Sequence, residues 1–253
     1  MEQTKFQEEE IPFHILSRFG LTREMLEDLP QSAYMKLRNG MATPVLPIKV
    51  ELDNGDIALS RSRVRLVRKA DGMTNVVFHP KLMYANLSMF TPGQQKALYA
   101  GEVIIAEADS GSGSATPAYY QLDPDTAQVI SVPVAIVGAN LKVLEDSLHL
   151  TEAEATGLKK GESLTLAKDK EMITFGIDLT AVDGFRYIEG DEKDWRNADK
   201  RDWGKYNFGL NGCWTMDGDG NIDYVNENDY TDEMWSEMKK RAGQQRGVST
   251  FKM

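Results

Sequence analysis

The chain has 253 residues, with 39 Asp and Glu against 29 Lys and Arg and a formal net charge of −10. That length, at 41% apolar residues, is enough for one or two domains with a buried core, and the charge disfavours binding of phosphate backbones by the surface as a whole. The single cysteine, Cys213, excludes an intrachain disulfide and therefore a disulfide-stapled secreted fold.

The N-terminus, "MEQTKFQEEE", is acidic and lacks the apolar stretch of a signal peptide. The longest apolar run, Val129–Leu141, is broken by Pro133 and Gly138 and is too short to cross a bilayer. No membrane association is expected, and the reading is a cytoplasmic protein. In chain order, residues 1–28 form a helical lead-in. "IPFHILSRFG" ends at Gly20, and "LTREMLEDLP" is stopped by Pro30.

Residues 29–89 are expected to form a first helix-plus-sheet module. The helix, "LPQSAYMKLRNG", closes at Gly40. The strands that follow, "PVLPIKVELDNGDIALSRSRVRLV", form a hairpin around Asp53-Asn54-Gly55. A second module is expected over 90–149 and a third over 150–188. "FTPGQQKALYAGE" and "LTEAEATGLKKGE" share Thr, Leu, Gly and Glu at four matched positions. Thr91 with Gln94 and Thr151 with Glu154 fit the capping box, and Pro92 suits the first helical position. Gly101 and Gly161 sit where a helix ends in a left-handed residue. Gly40, Gly101 and Gly161 are 61 and 60 residues apart, so the three modules read as a tandem array. After each of the later helices come "EVIIAEAD" or "ESLTLAKD" and then two strands joined by an Asp-containing turn. The second module carries an extra glycine-rich loop, Asp109–Pro117. That loop lacks the lysine and following helix of a phosphate cradle and reads as a hairpin insertion.

Residues 189–253 are expected to form an acidic, Trp-rich C-terminal domain with a terminal helix and a loose tail. Between Glu189 and Trp235 there are thirteen Asp and Glu against five Lys and Arg, and all four tryptophans fall in this window. The fold class is thus α+β: tandem small modules of a short helix plus antiparallel strands, then a small α+β domain.

The chemistry-bearing residues are sparse. His14, His79 and His149 are isolated and show no zinc-ligand spacing. There is no nucleophile elbow and no Walker-type loop, and no catalytic residue is assigned. Arg61, Arg63 and Arg65 alternate along one strand and so share one sheet face. That face is either the solvated side of a half-buried sheet or a grip for phosphates. "DGDGNID" offers Asp217, Asp219, Asn221 and Asp223 at alternate positions, the pattern of a calcium loop. It lacks the bidentate glutamate, and the competing reading is a hairpin turn. No cofactor is expected, with calcium here as the alternative. Trp195, Trp203, Trp214 and Trp235 read either as the core of a small domain or as partner-binding anchors.

The stretch "EEIPFHILSRFGLTREMLEDLPQSAYMKLRNGMATPVLPIKV" resembles the N-terminal domain of unknown function common in Bacteroidetes conjugative transposons and plasmids. "FTPGQQKALYAGE…YQLDPDT" and "LTEAEATGLKKGE…FGIDLTAVDGFRYI" resemble the repeated domain that often follows it. The resemblance spans about residues 8–188 and carries no functional residues. It implies a cargo or accessory protein of a bacterial mobile element.

The expectation is therefore a non-enzymatic binding protein that contacts DNA-processing or host-defence machinery. The alternatives are a nucleic-acid-binding accessory factor using Arg61, Arg63 and Arg65, or an enzyme whose carboxylates converge only in the fold. The partner and the oligomeric state are not readable from the sequence.

Overall fold

The computed structural model describes residues 5–108, 116–168, 171–181, 183–197 and 203–249. They form an α+β protein of tandem small modules containing four three-stranded antiparallel sheets. The chain divides into two compact units. One joins residues 1–80 to residues 201–253, and the other is residues 81–200.

In the first unit a 3-10 turn, Glu8–Glu10, leads to α1 (Phe13–Arg18), α2 (Arg23–Glu27) and α3 (Gln31–Arg38). The Thr22 hydroxyl accepts from Met25 N at the start of α2, satisfying one of the donors a helix N-terminus leaves free. Past α3, Gly40 takes φ +72°, the left-handed conformation expected of it. β1 (Leu46–Glu51), β2 (Ile57–Arg68) and β3 (Thr74–Pro80) follow as a meander. The β1–β2 turn lies at Asp53-Asn54-Gly55: Gly55 has φ +84°, and Leu52 N donates to Asp56 O at 2.8 Å. β2 alternates, with Ser62, Val64 and Leu66 buried.

In the second unit, α4 (Pro92–Tyr99) precedes β4 (Ile104–Ala108), β5 (Thr116–Asp123) and β6 (Gln128–Pro133). Next come α5 (Val134–Leu148) and α6 (Glu152–Lys159), then β7 (Leu164–Lys168), β8 (Glu171–Ile177), β9 (Phe185–Glu189) and α7 (Glu192–Asn197). Both expected capping boxes form, Thr91 with Gln94 and Thr151 with Glu154. Each sheet is again a meander. β5 is buried on both faces. Ala118, Tyr120 and Leu122 pack with Leu98 and Phe90, while Tyr119 packs with Val137, Leu141 and Ile177. A buried aspartate organises the end of each central strand. Asp123 accepts from the Thr126 hydroxyl at 2.8 Å, and Asp178 accepts from the Thr180 hydroxyl at 2.6 Å and from Arg186. The glycine-rich insertion lies largely outside the described residues.

The last segment carries β10 (Tyr206–Phe208), β11 (Gly212–Met216), β12 (Ile222–Asn226) and α8 (Asp232–Ser249). It differs from the separate C-terminal domain read from the sequence, because it packs into the first unit. Trp203, Trp214 and Ile222 share one core with Leu16, Leu21, Leu26, Leu37, Leu46 and Val64. Trp214 is 0% exposed, and its indole N–H donates to Met25 O at 2.8 Å. Burying an indole of this size contributes roughly 4–5 kcal/mol before entropy is counted. The hairpin is therefore part of the first unit's core.

Candidate interaction surface

Asp28, at the end of α2, is buried at 5% exposure and holds the C-terminal hairpin to the N-terminal helices. Its Oδ1 accepts from Leu210 N at 2.6 Å and its Oδ2 from Asn211 N at 3.0 Å. The Tyr224 hydroxyl donates to Oδ2 at 2.6 Å. Burial pushes the Tyr224 phenol well above its ordinary range, and the Asp28 carboxylate beside it adds to the shift. The approach is close enough that a Cβ at Gly209 would overlap the Asp28 side chain, and one at Gly212 would overlap the Tyr224 hydroxyl. These two glycines are where the backbone must come nearest to its neighbours.

The turn held in this way presents Leu210, 92% exposed. Beside it, Asn211 O accepts from Glu227 N, which ties the tip to the segment before α8. From here an aromatic file runs outward. Tyr206 stacks on Phe208 at 5.9 Å, Phe208 meets Tyr230 edge-on at 5.6 Å, and Tyr230 meets Trp235 edge-on at 5.2 Å. Tyr206 is buried, while Phe208, Tyr230 and Trp235 are partly exposed. Burial pushes the Tyr230 hydroxyl up to about 12. The segment that carries the file is rich in exposed acids: Glu227, Asp229, Asp232 and Glu233 flank Tyr230 and Trp235 along the chain, Asp217 and Asp219 lie in the β11–β12 turn, and Asp223 is paired with Arg61. Two cations of this segment are engaged, Lys205 with Glu233 at 2.7 Å and Arg241 with Tyr206 O at 2.8 Å. Partly exposed aromatic rings in an acid-rich segment have the composition of a contact surface with an acidic rim.

The four tryptophans do not gather in one place. Trp203 and Trp214 are core residues at 7% and 0% exposure, meeting edge-on at 6.0 Å, and their faces are taken up within the first unit. Trp235 retains a surface. Trp195 belongs to the second unit. There it lies against Gly176, with the Arg186 guanidinium 4.0 Å from its ring centre. The arginine stripe is internally bonded. Arg61 pairs with Asp223 at 2.9 Å and donates to Ile222 O at 2.7 Å, Arg63 donates to Thr43 O, and Arg65 donates to Gly40 O. These bonds clip β12 and the segment entering β1 to the face of β2.

"DGDGNID" is the β11–β12 hairpin. Asp217 Oδ1 accepts from Asp219 N and Asn221 N, and Oδ2 accepts from the Asn221 side chain at 2.9 Å. These bonds, the Asn221 side chain foremost, hold the Asp217 carboxyl below its ordinary range. Among the described residues no group of three or more His, Cys, Asp or Glu is placed to hold a metal. No helix of the described residues is long and apolar enough to cross a membrane.

Sequence reasoning missed Asp28, Leu210 and the file through Phe208 and Tyr230. "LEDLP" reads as an ordinary helix end, and no local pattern couples it to a turn some 180 residues later. The spacing of Tyr206, Phe208 and Tyr230 around the tryptophans was the available signal.

Residues 6–89 match a family described as "Protein of unknown function (DUF4099)". This is an N-terminal domain of unknown function; the match covers less than half of the chain and runs past the boundary between the two units at Pro80. The chain is also similar to a leucine–tRNA ligase of Brachyspira hyodysenteriae, 28% identical over 116 residues. That stretch is 44% of this chain and 14% of the ligase, so the chain spans about a seventh of that relative's length.

Proposed function

We propose that this chain is a non-enzymatic binding protein, an accessory of a bacterial mobile genetic element that acts through protein–protein contacts with DNA-processing or host-defence machinery. The observation that carries this reading is the exposed Leu210 just past the end of a strand whose Phe208 leads through Tyr230 to the partly exposed Trp235, in a segment rich in exposed acids. A buried carboxylate holds the tip's backbone, so little order is lost when a partner covers it. The acidic rim favours a partner with a basic face, such as a protein that handles DNA. The mobile-element setting rests on the resemblance in residues 8–188. The alternative through Arg61, Arg63 and Arg65 draws less support, because those guanidiniums already have intramolecular acceptors.

The test is a pull-down from a Bacteroidetes lysate with the full chain, with and without nuclease, beside the variants Trp235→Ala and Leu210→Asp. The expected result is a protein partner that survives nuclease and is lost with either variant. Recovery of nucleic-acid-dependent proteins alone, equally by all three baits, would overturn the reading.

A further inference from the structure

β2 is twelve residues long, and its two neighbours divide it. β1 pairs with Ile57–Ser62, and β3 pairs with Ser62–Arg68, ending at Pro80 opposite Ser62. The β3 side of β2 is therefore open from Ile57 to Arg61. Val64 O accepts from Thr43 N, and Val64 N donates to the Thr43 hydroxyl, both on the β1 side. Backbone direction alternates along a strand, so Ile57, Leu59 and Arg61 direct their N–H and C=O groups to the open side. Among the described residues these groups have no hydrogen-bond partner. Ile57 and Leu59 also share one face and are 65% and 81% exposed. An open edge flanked by exposed aliphatics is a template for another strand.

We propose that this edge pairs with the same edge of a second copy, antiparallel, about a two-fold axis at Ala58. Ile57 of each copy then lies opposite Leu59 of the other, and four backbone hydrogen bonds form. Pro80 selects both occupant and register. A strand continuing past Arg61 collides with Pro80, which already faces Ser62. The chain's own β2 begins at the Asp53–Asp56 turn and so bends away before reaching it. An axis at Leu59 instead would set Asp56 against the position that Pro80 holds. With the axis at Ala58, each cross-strand row reads Lys49, Leu59, then Ile57 and Glu51 of the second copy. The apolar pair lies at the centre, with opposite charges at the ends. The result is a four-stranded sheet in the order β1-β2-β2-β1. Its small contact area makes the dimer weak, with micromolar or weaker affinity.

The experiment is sedimentation velocity on the full chain from low-micromolar to near-millimolar concentration, with folding of each variant checked by circular dichroism. The wild type is expected to rise toward twice the mass of one chain. Leu59→Pro removes an outward N–H and the leucine side chain without breaking a β1–β2 hydrogen bond, and Leu59→Lys puts a charge at the seam; each is expected to weaken self-association by about tenfold or more. Leu210→Asp, exposed elsewhere in the same unit, is expected to dimerise as the wild type does, which separates this seam from the partner surface. A wild type that stays monomeric throughout overturns the proposal. So does a dimer unaffected by a folded Leu59→Lys.

Discussion

Replacing Asp28 by alanine tests whether the first unit depends on its C-terminal hairpin. The carboxylate accepts from Leu210 N, Asn211 N and the Tyr224 hydroxyl at 2.6, 3.0 and 2.6 Å. A hydrogen bond to a charged acceptor contributes about 1.5–3 kcal/mol, and a buried donor left without a partner costs about 1–3 kcal/mol. The full sum does not apply, because the tip around Leu210 is exposed and water can reach its N–H groups. The phenol of Tyr224 is half-buried and recovers less. We expect Asp28→Ala to cost about 3 kcal/mol, and Tyr224→Phe, which removes one bond, about 1 kcal/mol. Asp28→Asn should fall between them, since its amide oxygen still accepts from the backbone and its NH₂ can donate to a turned Tyr224 hydroxyl. The assay is urea unfolding followed by tryptophan fluorescence, since three of the four tryptophans lie in the first unit. A loss below about 0.5 kcal/mol for Asp28→Ala, or no coupling between Asp28→Ala and Tyr224→Phe in a double-mutant cycle, would refute the argument.

Gly101 and Gly161 both have positive φ, +80° and +91°, but a Cβ at Gly101 meets nothing within 4 Å, while one at Gly161 would lie 2.8 Å from Val103 O. Gly101→Ala should therefore cost about 1 kcal/mol by thermal unfolding and Gly161→Ala distinctly more, about 2 kcal/mol or above; equal costs would mean the backbone conformation alone sets the effect. Cys213 is 0% exposed, and burial raises its thiol to about 11, so a thiol reagent at mildly alkaline pH should leave it unmodified in native protein and label it once urea unfolds the first unit. Rapid labelling without denaturant would count against the packing of β11. Arg61 and Asp223 are 27% and 54% exposed at their side chains, so their coupling in a double-mutant cycle should be modest, about 0.5–1 kcal/mol. A coupling several times larger would mean the pair is better shielded from water than its exposure indicates.

What was legible in the sequence was local. The capping boxes at Thr91 and Thr151, the left-handed glycines and the Asp53-Asn54-Gly55 turn each depend on a few neighbouring residues, and they formed where expected. α5 was not anticipated. Its first turn, "VAIV", continues the β-branched run of β6, and Pro133 alone separates strand from helix. The spacing of Val137 and Leu141, both 1% exposed, was the helical signal beneath that composition. Long-range packing was hidden for a different reason. The change to acidic, Trp-rich sequence near residue 189 marks a shift in surface chemistry. Surface charge says nothing about which side chains point inward, and Trp214, with Trp203 and Ile222, was drawn into a core whose remaining buried members lie before residue 67.

That distinction alters which experiment can address function. Removing residues 189–253 would take Trp203, Trp214 and Ile222 out of the first unit's core and leave Asp28 without its donors. Loss of partner binding in such a truncation would then report unfolding as readily as a lost contact. Substitutions at Leu210 and Trp235 act on groups whose exposed surface is separate from that core. They distinguish a surface that binds from a segment that holds the fold together.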